Sequence, residues 1–114
     1  MKTSKASFNR FKAEFLRWVG IFGLKGYRIY FHHKDIDALA QLEVSESNKI
    51  ATASMATEIS PVDKESFSPE GSAKHEAVHL LLNKLRHIGS CRYISEEELM
   101  DEWERLAIIL ERAL

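Results

Sequence analysis

Cysteine is all but missing from this chain: Cys91 stands alone in 114 residues, so no internal disulfide can form. That excludes the small disulfide-stapled scaffolds and suits a reducing, cytoplasmic compartment. Proline is nearly as scarce, and both copies, Pro61 and Pro69, fall within one short stretch. Uninterrupted apolar runs are missing too. None approaches the roughly 20 residues needed to span a bilayer, and the apolar N-terminal region is broken by Lys12, Glu14 and Arg17 before any small-residue cleavage site. Neither a membrane span nor a signal peptide is expected. Net charge is only −1, yet residues 1–34 carry eight Lys/Arg against the single acid Glu14, whereas residues 95–114 carry seven acids against Arg105 and Arg112. The basic end can meet a nucleic acid or an anionic surface, or lie against the acidic end within one fold; the second is the expectation, because the basic residues form no dense run.

Apolar residues at 45% and charged residues at 29% are ordinary globular values, and 114 residues suffice for one domain with one core. Phe8, Phe11, Phe15, Trp18, Val19 and Phe22 recur at helical spacing and predict an amphipathic N-terminal helix. Gly20, Gly23 and Gly26 then punctuate the chain. Tyr27, Ile29 and Phe31 alternate with Arg28, Tyr30 and His32 as in a strand, with residues 33–35 as a short connection. A second alternation, Ile36 to Val44, reads as another strand in preference to the helix its alanines also allow, and residues 49–59, small and β-branched, as a third; the polarity of that third strand places it at a sheet edge. Residues 60–71 read as a loop. Ser68 before Pro69 starts a helix that Gly89 should end, and Ser95 with Glu98 forms a capping box for a last helix. The expected class is α+β: an N-terminal helix, about three strands and two C-terminal helices.

The stretch KHEAVHLLL, residues 74–82, lies inside the first of those two helices. Residues four apart share a helix face, so His75 and His79 can offer imidazole nitrogens to one ion, while Glu76, about 100° around the helix, can stand beside that ion without ligating it. This is the pattern of a zinc hydrolase: the metal acidifies a water, and a carboxylate takes its proton and hands it to the leaving amine. A catalytic zinc takes three protein ligands. The first-turn acids Glu96, Glu97 and Glu98 suit capping and the helix dipole. Further along, Glu102 borders the apolar stripe of the last helix and is favoured as third ligand, with Glu104 in reserve. Tyr30, His87 and Tyr93 are candidate oxyanion donors, Cys91 is a soft donor near the helix connection, and His32 and His33, adjacent on a strand, face opposite ways.

With "HEAVHLLL" and "RYISEEELMDEWERLAIIL" the last 45 or so residues resemble the zincins, specifically the very small gluzincin-like metallopeptidases of bacteriophages and mobile elements. The resemblance implies zinc held by His75, His79 and Glu102, with Glu76 as general base acting on a peptide or protein substrate. It also implies that an edge strand, by position residues 51–59, pairs with extended substrate. The subdomain that walls the cleft of larger relatives has no counterpart here. The competing expectation is a non-catalytic phage-type accessory protein, in which zinc or packing ties the last two helices together. A nucleic-acid partner for Lys2, Lys5, Arg10, Lys12 and Arg17 is the least expected use of the chain.

Overall fold

The computed structural model describes residues 1–91 and 93–114. Ser4 caps the first helix by accepting from the Ser7 amide, and α1 (Lys5–Ile21) buries Phe11 and Phe15. Gly23 and Gly26 then turn the chain at φ 66° and 98°, backbone that a side chain would strain. Three strands follow, β1 (Arg28–Lys34), β2 (Ala40–Ser45) and β3 (Ile50–Ala56), and then α2 (Pro69–Ser90) and α3 (Glu96–Ala113). The class is α+β. Ser68 and Ser95 cap α2 and α3 as the sequence predicts, accepting from Gly71 and Glu98, but Gly89 does not end α2, which continues to Ser90 with Cys91 as its cap. Among the described residues no helix is long and apolar enough to cross a membrane.

The sheet order is β1-β3-β2, with β1 parallel and β2 antiparallel to β3. This corrects the edge assignment made from composition: the third strand is central. Its small side chains are explained by packing rather than by solvent. Ala51, Ala53 and Met55 are fully buried in one core with Phe11 and Phe15 of α1 and Ala73, Ala77, Leu80 and Leu81 of α2. The side chains of the two helices cover that face of the sheet and keep water from it. The second strand is shorter than its alternation suggests, because only residues 40–45 pair with β3. The first is longer, with His33 and Lys34 still in register with Met55 and Ala56.

The N-terminal residues are tied beside β3. The Met1 amino group donates to the Ile59 carbonyl at 2.8 Å, and the Thr3 hydroxyl donates to the Ala56 carbonyl at 2.7 Å. Having spent its proton there, the hydroxyl can only accept from His33 Nε2, 2.6 Å away, which fixes the proton of a neutral His33 on Nε2. His33 also stacks on Phe8, while His32 is exposed on the opposite face. The expected packing of the basic end on the acidic end is not made by ion pairs. Arg10 pairs with Glu70, Arg17 with Glu14, Lys49 with Glu46 and Arg105 with Glu102; among the described residues none joins α1 to α3.

Candidate metal centre and substrate cavity

The inner face of α2 is set by Ala73, Ala77, Leu80 and Leu81, all buried. With 3.6 residues per turn, that anchoring turns His75 and His79 to a different, shared face. Their Nε2 atoms stand 3.1 Å apart, with the rings nearly perpendicular at 86°. That is an N–H···N hydrogen-bond distance, and it is also close to the roughly 3.3 Å between two nitrogens each about 2.0–2.1 Å from a tetrahedral zinc. Glu76 follows at 5% exposure. Burial raises its carboxyl above the ordinary carboxylate range, against the opposing pull of His75 and His79.

These three side chains open onto a cavity of about 830 Å³ between α2 and β2. Leu39, Ala40, Leu42 and Val44 form the strand wall; Asn83 and Arg86 extend the helix wall beyond His79. A smaller hollow of about 180 Å³ continues past Val44 and Asn83 to Glu46, Arg86 and His87. β2 pairs with β3 on one side only, so its other edge is free among the described residues.

Glu102 stands elsewhere than at the imidazole pair. Its carboxylate, 2% exposed, accepts from Arg105 Nε at 2.5 Å and from Arg105 Nη2 at 2.7 Å. Arg105 Nη2 also donates to the Leu81 carbonyl at 3.3 Å, so this pair ties α3 to α2. The carboxylate in turn raises the Arg105 guanidinium pKa still further, through its hydrogen bonds, against the effect of burial. Glu104 is exposed, and neither glutamate lines the cavity. Among the described residues no group of three His, Cys, Asp or Glu side chains is placed to hold a metal ion. The structure thus brings together His75, His79 and Glu76 and leaves Glu102 with Arg105. Of the other candidates, His87 lines the hollow, Tyr30 and Tyr93 lie outside the cavity wall, and the exposed Cys91 donates its thiol to the His87 carbonyl.

One polar cluster beside the cavity has no counterpart among the sequence motifs. Glu46, in the β2–β3 connection, accepts from Tyr27 at 2.6 Å, from Asn83 at 2.9 Å and from Lys49 at 2.5 Å. Burial acts to raise its pKa, but these three donors outweigh it and hold the carboxyl at about 2. The Tyr27 hydroxyl is pushed up, first by burial and then by its bond to Glu46. Asn83 is missing from the candidates read in the sequence; helical phase, four residues after His79, is the signal that would have put it on the histidine face, while nothing local ties it to Glu46, 37 residues away.

No protein-family model, curated protein or solved structure matches the chain.

Because its folded pKa is depressed, Glu46 contributes stability that is complete above the unfolded carboxylate value near 4.5 and is lost as pH falls through about 2. Glu46→Gln should cost about 1–3 kcal/mol in urea unfolding at pH 7 and progressively less as the medium is acidified below about pH 4. A variant as stable as the parent at pH 7 would remove this cluster from the account.

Proposed function

We propose that the chain is a zinc-dependent peptide hydrolase, with His75 and His79 holding the ion and Glu76 as general base. The observation that carries this reading is the convergence of the two Nε2 atoms to 3.1 Å, next to a buried carboxylate, on the wall of an open cavity. Zinc bound there would supply a water of near-neutral pKa and a Lewis acid for a substrate carbonyl. Glu76 does the proton work. Its raised pKa brings it closer to the operating pH, where a carboxylate both accepts a proton and releases it to a leaving amine. The cavity is large enough for several residues of an extended chain, and its strand wall is apolar enough to hold their side chains. The free edge of β2, in place of the central β3, offers backbone groups to such a peptide, as strand addition requires.

Glu102 completes the ligand set in this reading by exchanging Arg105 for the ion.

Two experiments decide these roles. Glu76→Gln should keep one zinc per chain by atomic absorption and lose about 10²–10⁴-fold in peptide hydrolysis; cleavage at the parental rate would dismiss Glu76 as the base. Glu102→Gln should weaken zinc binding in a competitive chelator titration, and Arg105→Gln, which frees the carboxylate, should strengthen it. If neither moves the affinity, Glu102 serves α3 packing alone, and its loss is then seen as a destabilisation of about 1–3 kcal/mol, since Arg105 remains partly hydrated.

A further inference from the structure

The guanidinium of Arg86 sits on the wall of the cavity with no ion-pair or hydrogen-bond partner among the described residues. The carboxylate that shares the adjoining hollow with it, Glu46, is already engaged by Lys49, Tyr27 and Asn83. Arg86 follows His79 by seven residues, two helical turns less about 20°, and so points to the same side of α2, about 10 Å further along its axis. It is the cation of the cavity wall, set where the main chamber passes into the smaller hollow.

We infer that Arg86 anchors a carboxylate of the bound peptide, carried either by an acidic side chain or by the peptide's C-terminus. This rests on the peptidase reading above. An extended chain advances about 3.3 Å per residue, so a carboxylate at Arg86 lies about three residues from the bond held beside His75 and His79. A guanidinium offers paired N–H donors to a carboxylate, whereas the remaining wall beyond His79 supplies the amide of Asn83 and apolar Val44. Two sources of the carboxylate differ by chain direction. A peptide antiparallel to β2 presents a Glu or Asp side chain on the amino side of the cleaved bond, because Val44 at the far end of β2 adjoins Arg86; a peptide parallel to β2 presents its own C-terminal carboxylate.

The test uses the full chain and four labelled peptides of one sequence: Glu or Gln three residues before the cleaved bond, and a free acid or an amide three residues after it. Affinity is read by fluorescence anisotropy on the zinc-loaded Glu76→Gln chain, and kcat/KM on the unmodified chain. One acid-bearing peptide should bind about 10-fold more tightly than its neutral partner; the pair that differs identifies which carboxylate is recognised. Arg86→Gln should abolish the difference, and Arg86→Glu should reverse it in favour of the neutral peptide, with unchanged thermal unfolding because the side chain is exposed. Equal affinities within both pairs, or an acid preference that survives Arg86→Gln, would overturn the assignment. Acid preference in binding with no cleavage by the unmodified chain would sustain the anchor and defeat the peptidase reading.

Discussion

The inner face of α2 governs the rest of the molecule. Ala73, Ala77, Leu80 and Leu81 lock that face onto the central strand, where Ala51, Ala53 and Met55 are fully buried. Once that face is fixed, the pitch of an α-helix leaves His75, His79 and Arg86 no choice of direction: they look across a gap at β2. The gap exists because the sheet ends there, with β2 as its last strand. Packing in the core thus determines the position of the chemistry on the surface.

Around this frame the charged groups divide into two kinds. Arg10–Glu70 and Arg17–Glu14 are solvated and contribute little to stability. Glu46, half-buried, and Glu102, buried, are the opposite case: carboxylates drawn out of solvent and satisfied by strong donors. Glu46 joins the β2–β3 connection to Tyr27 and to α2 next to the cavity, which holds the strand wall at a fixed distance from the histidines. Glu102 and Arg105 do the same for α3 against the Leu81 carbonyl. Glu76 differs from both: it is buried without such donors, and it is the carboxylate whose pKa rises.

Local signals in the sequence were sufficient for the helices. The Ser68 and Ser95 caps, the phenylalanine stripe and the HExxH spacing are all contained within a few residues, and the presence of the helices and the histidine face of α2 follow from them, whereas the Ser4 cap was not read and α2 runs through Gly89 to Ser90. Strand order was not legible, since it depends on which surfaces pack together: Ala51 and Ala53 read as an edge until the two helices that cover them are known. The partner of Glu102 was equally out of reach. A helical wheel places it correctly at the buried boundary of α3, yet cannot decide between a metal and Arg105, three residues away on the same helix. Asn83 and Arg86 lay within reach of the same wheel, which extends the histidine face by one and two turns.

The most direct test of the central claim is X-ray absorption at the zinc edge of the metal-loaded chain. The account predicts two imidazole nitrogens about 2.0–2.1 Å from the ion, both lost from the spectrum in the His75→Ala, His79→Ala double variant. A first shell without imidazole, or one unchanged in that variant, would contradict it.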